Sequence, residues 1–421
     1  MKKNKLLNIL GWSLSFIPFF AVSCINFNQP KNVLNKNLDN WDNEITIVVP
    51  QINNGFLSTD LETNFLNKIT DKFNYLKNQN SLVKDLPDVR FKIELNEEKE
   101  AIFQDLISNK NTVDLGFLSY TRFVDSLDTN SNINYDFQIV GQTLANKFIW
   151  SNLNELSSYK DGSMTDNLRI LAEQQNIEQF KNYGEFPSWI SKDKELNFNG
   201  SVYSIFYDYN QFTSVHRSSI LIAGNLQQRN KIIEAWDNKD WDKFKSFGFV
   251  VRSFDSGTGF KYPIKLLSKH FNLSLEEIEK FFKSRNNNLV LVGSRPRDQL
   301  GKTDSNNFTY HIAFDNEGVF NWTRAREGRY QPTGYNKDLS NDYNSKNNVV
   351  VRNLIFSNPA PYDVLLGRKN LNTIQKELII ETLSNLSQED NTFGIYTGYN
   401  KIDKIDFDLF KKYVEMQKEA Q

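Results

Sequence analysis

The chain of 421 residues has one cysteine, three histidines and ten prolines. A single thiol allows no internal disulfide, so the fold must rest on buried apolar surface. The histidines, His216, His270 and His311, make no HExxH-type metal spacing, and no GxSxG elbow, Walker loop or GxGxxG follows a strand pattern. The chain is therefore read as a non-enzyme with no metal-ligating residues of its own, and whether a divalent metal accompanies a bound ligand is left open. Basic and acidic residues nearly balance, 50 against 51, which leaves no electrostatic footprint for nucleic acid. Beyond residue 24 no stretch is long and apolar enough to span a bilayer. Aromatic residues, in contrast, are abundant: 14% of the chain, with 33 Phe and 17 Tyr. That is too rich for a disordered polymer and enough for a large core.

The one cysteine closes an apolar run. Lys2, Lys3 and Lys5 precede residues 6–22, and Pro18 would break a spanning helix. This is the pattern of an export signal, residues 1–23. Ala21, Val22 and Ser23 before Cys24 resemble a lipobox. The resemblance implies that Cys24 takes a diacylglyceryl group and becomes the mature N-terminus, held on the extracellular face of the cell membrane. Residues 24–43 are polar and without period, and are read as a lipidated tether.

From Glu44 a strand–helix alternation begins. The segments 44–50, 89–95, 113–118 and 137–144 are β-rich; 60–79 and 97–110 carry helical spacing. A βαβαβ start predicts a parallel sheet under helices. Residues 150–200 are irregular. Strands are predicted again at 218–224 and 247–253, and helices at 226–236 and 262–271. Two more strands follow at 349–357 and 362–368, then helices at about 373–386 and 403–418. The expected α/β architecture is two lobes: residues 44–144 start lobe one, 145–348 form lobe two with an insertion, and 349–421 return largely to lobe one. Ligands in such folds sit in the crevice outside the strand carboxyl ends.

One loop stands out, "SFDSGTGF" at 253–260, between a strand and a helix. Ser256, Gly257, Thr258 and Gly259 offer two hydroxyls and unobstructed N–H groups at a helix start, which suits a phosphate. The plainer alternative is a helix cap on Asp255 or Ser256.

The stretch "SFDSGTGFKYP" resembles the phosphate-gripping loop of phosphonate-type binding proteins, with Gly257 where a hydroxyl residue is usual. "HRSSILIAG" (216–224) resembles the strand those proteins place before it. The segments "FPSWISK" (186–192), "NGSVYSIFYDY" (199–209), "AWDNKDWDKFKSFG" (235–248), "HIAFDNEGVFNW" (311–322), "SNPAPYDV" (357–364) and "GYNKID" (398–403) together resemble the mycoplasma extracytoplasmic thiamine pyrophosphate-binding lipoproteins, solute receptors of ABC importers. The likeness is poorest at 51–60, 160–185 and 285–305. It implies a two-lobed periplasmic-binding-protein fold of the second type, with thiamine pyrophosphate or a close relative as transported ligand rather than cofactor, and an ABC permease as partner. The pyrophosphate would lie on Ser256–Gly259. The cationic ring system would need aromatic faces and a carboxylate. Candidates are Trp189, Tyr203, Tyr207, Trp322 and Tyr362, with Asp208 or Asp363 as the acid; Ser119, Tyr120 and His311 are further contacts. Trp236 and Trp241 are assigned to the core. Other readings are a receptor for a phosphonate, an oxyanion or another phosphorylated vitamin, and a surface adhesin without cargo.

Overall fold

The computed structural model describes residues 40–125, 136–151, 156–189, 196–199, 201–326 and 330–421. The leader and Cys24 lie outside the described residues. In chain order come β1 (Glu44–Val49), α1 (Asp60–Gln79), β2 (Arg90–Leu95), α2 (Lys99–Ile107), β3 (Leu115–Leu118), β4 (Phe137–Phe148) and α3 (Asn167–Tyr183). Then follow β5 (Tyr207–Thr213), β6 (Val215–His216), β7 (Ser218–Gly224), α4 (Leu226–Asp237), α5 (Trp241–Lys245), β8 (Phe249–Val251), α6 (Tyr262–Phe271) and α7 (Leu275–Lys283). The rest are β9 (Val290–Val292), β10 (Ile312–Asn316), β11 (Val350–Phe356), β12 (Ala360–Pro361), β13 (Val364–Arg368), α8 (Thr373–Ser384), α9 (Thr392–Thr397), β14 (Lys401–Asp403) and α10 (Phe407–Ala420).

Local chemistry accounts for the best-formed elements. In α1, Thr59 caps the first turn by accepting from the Leu61 N–H, and Asp60 and Glu62 sit where the helix dipole favours acids. Its Phe65, Ile69 and Phe73 then fall on one buried face. In β7 every residue is buried, because both faces of its sheet are covered. Ile220 and Ile222 enter one core cluster with Phe249, Val251 and Phe314. Leu221 and Ala223 enter the other, with Val250, Trp189 and Tyr203. This is the period-two alternation of a strand between two layers.

Lobe one is a seven-stranded sheet in the order β14-β4-β13-β3-β1-β2, with β5 paired to β4. The βαβαβ start is parallel as expected, β1 pairing with both β2 and β3. The sheet as a whole is mixed, because β13 runs antiparallel to β3 and β4. Lobe two is a five-stranded sheet, β11-β7-β10-β8-β9. Here the expected division at residue 349 needs correction. β11 pairs antiparallel with β7, so the return to lobe one begins only after Phe356. The apolar pattern of β11 is equally compatible with either sheet, and only its partner decides.

Two short strands cross between the lobes. β6 and β12 pair with each other, Ala360 opposite His216 and Pro361 opposite Val215. The Tyr362 N–H donates to the Ser214 carbonyl (2.9 Å) and the Ser357 N–H to that of Ser218 (2.9 Å). The crossing is thus a hydrogen-bonded ribbon rather than two independent loops. Among the described residues no helix is long and apolar enough to cross a membrane.

Candidate functional site

A cavity of about 460 Å³ opens between the two sheets beside the crossing strands, within the range of small-molecule sites. Lobe one supplies Gln51 and Asn53, just after the carboxyl end of β1, and residues from Gln388 to Asn400. Lobe two supplies Arg217, Asn316, Glu317 and Trp322, with Asn199, Ser201 and Val202. His216, Tyr362 and Asp363 come from the crossing strands and their exits.

One wall is aromatic. Phe148 stacks on Trp150 (4.4 Å, 13°) and neighbours Tyr207 at 5.0 Å and Trp322 at 6.2 Å. The close approach requires Gly318: it has φ +69°, and a Cβ there would lie 2.5 Å from the Phe148 ring. Tyr399 stacks on Phe117 at 4.7 Å, and His216 lies 5.0 Å from Tyr362.

The other determinant is charge. Glu317 is buried; it accepts from Trp150 Nε1 (3.2 Å) and lies 3.9 Å from Arg217. Burial pushes its carboxyl up from the ordinary value. Asp363 accepts from the Tyr399 hydroxyl at 2.7 Å. Burial pulls His216 down to about 4, so it is neutral at pH 7. The lining therefore holds two carboxylates and one guanidinium beneath aromatic faces, an environment suited to a flat, cationic group.

Tyr207, Trp322, Tyr362 and Asp363 are brought together in this wall. The other expected ring contacts are not. Trp189 and Tyr203 are 1% and 0% exposed in the lobe-two core, where Trp189 donates to the Gly184 carbonyl and the Tyr203 hydroxyl accepts from the Ala325 N–H. Asp208 is used locally, accepting from the Asn210 N–H and from Gln211. His311 immediately precedes β10, whereas the cavity residue Asn316 ends it, roughly 16 Å away along the strand; its Nδ1 lies 2.8 Å from the Ala223 carbonyl. Tyr120 is buried one layer behind, donating to Gln142, whose amide bonds the Tyr362 carbonyl. Ser119 caps the short turn that Tyr120 begins. Trp236 is buried in the lobe-two core and Trp241 packs against it.

The turn 256–259 lies beside the cavity rather than in its lining. Ser218, next to the lining residue Arg217, donates its hydroxyl to the Thr258 carbonyl (2.5 Å). The Tyr262 ring lies 6.0 Å from His216. Ser256 does act as a cap, accepting from the Gly259 N–H at 3.1 Å. The N–H groups of Gly257 and Thr258 come before any intrahelical acceptor. Tyr262 also spans the lobes: its hydroxyl accepts from Gln417 Nε2 of α10 (2.9 Å) and hydrogen-bonds Thr121 of lobe one.

Sequence reasoning missed Asn146, Asn199, Ser201, Arg217, Glu317 and the 388–400 segment. Short amides and hydroxyls in loops carry no period. Some signal existed, since Glu317, Tyr399 and Asn400 fall inside the segments "HIAFDNEGVFNW" and "GYNKID". Among the described residues no cluster of three or more His, Cys, Asp or Glu could hold a metal ion.

Comparison with known proteins agrees with this architecture. The chain is 29% identical over 426 residues to the high affinity transport system protein p37 of Mesomycoplasma hyorhinis, covering 99% of each. It is 27% identical over 300 residues to the p37 of Mycoplasma pneumoniae, 70% of this chain and 73% of that one. The solved structure of Mycoplasma hyorhinis Mh-p37, put forward as a thiamine pyrophosphate transporter, superposes with a TM-score of 0.73 at 28% identity, covering 90% of this chain and 99% of that one. The model of one family, CypI, matches residues 63–418. The chain belongs to this family, the extracytoplasmic thiamine-binding lipoproteins.

Proposed function

We propose that the protein is a lipid-anchored receptor, attached through Cys24, that captures thiamine pyrophosphate or a close relative outside the cell and hands it to an ABC permease. The observation that carries this reading is the pairing of two unlike environments. The cavity offers Tyr207, Trp322 and Tyr362 with Glu317 and Asp363. The turn Ser256–Gly259 adjoins it through the Ser218–Thr258 bond. A thiazolium and aminopyrimidine suit the first, and a pyrophosphate suits the second. The two carboxylates of the lining outnumber its one guanidinium, Arg217, which disfavours a bare oxyanion as cargo.

The test is calorimetric titration of protein stripped of bound ligand, with thiamine pyrophosphate, thiamine and inorganic pyrophosphate. Thiamine pyrophosphate is expected to bind tightest, and at about 100 times its Kd to stabilise the fold by about 2.7 kcal/mol. Thr258→Ala should weaken it about 10-fold or more while sparing thiamine. Gly257→Asp is a poorer probe, because a Cβ at Gly257 would already meet the Tyr262 ring at 2.8 Å. No heat and no thermal shift with thiamine pyrophosphate would remove this cargo.

A further inference from the structure

Lys261 follows the turn 256–259, and Lys283 of α7 lies 6.0 Å from the Phe254 and Phe260 rings that flank it. A further charge comes from the strand before. Arg252 follows the carboxyl end of β8. Its N–H donates to the Gly259 carbonyl at 3.1 Å, and its aliphatic stem fills the space where a side chain on Gly259 would be, 2.5 Å from an added Cβ. The guanidinium makes one hydrogen bond to Asp315, Nη2 to Oδ1 at 3.1 Å. Arg297 bonds the other oxygen of the same carboxylate at 3.0 Å and lies over the Tyr330 ring at 5.5 Å.

Two guanidinium groups thus share a single carboxylate that is wholly buried. The Nε atoms of both arginines are buried without a hydrogen-bond partner among the described residues, and Asp298 beside Arg297 leaves its own buried Oδ1 unpartnered. Guanidinium groups withdrawn from water are stabilised only by matching anions. Asp315 matches one of the two. The Arg252 side chain is 29% exposed and Arg297 10%, so Arg252 is the one that solvent, or a ligand, can reach. Asp315 and the cavity residues Asn316 and Glu317 leave the same carboxyl end of β10, which puts this charge on the crevice edge of lobe two.

We propose that Arg252, oriented by Asp315 and backed by Arg297, is the cationic contact for the ligand's phosphate tail, and that it discriminates phosphorylated from unphosphorylated cargo. The proposal rests on the reading above that a phosphate lies against Ser256–Gly259. Gly259 has a defined part in it: any larger residue would displace the Arg252 stem. A guanidinium fork suits a phosphate better than an ammonium does.

The experiment compares the parent with Arg252→Met, which keeps an unbranched stem over Gly259, Arg252→Lys and Lys261→Met. Each is titrated with thiamine pyrophosphate, inorganic pyrophosphate and thiamine, with melting curves as a check on folding. Arg252→Met should weaken both pyrophosphate compounds by about 10-fold or more and leave thiamine within about 2-fold. Arg252→Lys should recover part of the loss and Lys261→Met should cause little. Equal loss for thiamine, or full retention of both pyrophosphate compounds, would overturn the assignment, as would the whole loss appearing in Lys261→Met. If Arg252→Met does not fold, Arg252→Lys decides by the same ratio between ligands. A parent that binds pyrophosphate through Arg252 but no thiamine compound would keep this assignment and remove the cargo. A parent that binds thiamine pyrophosphate regardless of Arg252 would do the reverse.

Discussion

His270 lies flat on Trp236, with ring centroids 3.6 Å apart and planes 7° from parallel. Its Nε2 is 2.8 Å from the Trp236 carbonyl and its Nδ1 2.9 Å from the Tyr159 hydroxyl. Burial pulls it from 6.5 to about 4, as it does His216. The sign follows directly. Between these values the unfolded chain binds the proton and the folded chain does not, so acidification favours unfolding. Stability owed to the two groups is full above about 6.5 and is lost as the pH falls toward 4. A shift of this size amounts to something on the order of 3 kcal/mol per histidine. Urea unfolding at pH 7, 5.5 and 4.5 should show stability falling. In His270→Gln the fall should be smaller but not abolished, because His216 and His311, also held down by burial, still contribute. An unchanged slope would show that His270 takes up its proton without cost in the folded state.

At the scale of elements, the ion pair between Arg352 on β11 and Glu185 just after α3 is the sharpest case. Both are buried. Arg352 bonds both carboxylate oxygens, Nη1 to Oε2 at 2.7 Å and Nη2 to Oε1, and its guanidinium stacks over Tyr343 at 4.6 Å. Arg352→Met would leave Glu185 buried without its cationic partner, with only the Ser345 hydroxyl donating to it among the described residues, at a cost of about 3–5 kcal/mol. Arg352→Met with Glu185→Leu should recover most of that, as read from urea midpoints. The same region explains what could not be read from sequence. α3 was missed because only its first turns bury apolar residues, Leu168, Leu171 and Ala172, and the rest of its buried face is polar: Asn176 bonds the backbone and side chain of Asn353, Gln179 bonds Asn321, and Gln175 accepts from the Gly318 N–H. Apolar periodicity cannot detect a helix that docks through amides. α1, α4, α6 and β7 were legible because their buried faces are apolar or continuous. At the site, Trp322 and Asp363 could be picked out by residue type. Trp189 and Tyr203 could not be told from them, since a core aromatic and a ligand-facing one differ only in what covers them.

For the whole molecule, anchoring and assembly are separate questions. The leader predicts that Cys24→Ser yields an uncleaved precursor without lipid. Metabolic labelling with a fatty acid and detergent partition of the mutant check this, and processing or partition like the parent would remove the lipid anchor. The two lobes meet through hydrogen bonds as well as the β6–β12 ribbon: Ser201 donates to the Ile395 carbonyl at 2.7 Å, and Gln417 to Tyr262. The position of β13, between β3 and β4 in the lobe-one sheet, has a consequence for the nascent chain. Lobe two has all five of its strands once Phe356 has emerged. Lobe one, although its first strand is made earliest, has a gap at its centre until residues 364–368 arrive. Its core is completed only by Phe410 and Val414 of α10. Until lobe two has been made, β3 and β4 therefore lack the strand that joins them. In a chain made from its N-terminus, the half that comes second has all its strands first, and the crevice between the lobes has both its walls only once α10 has been made.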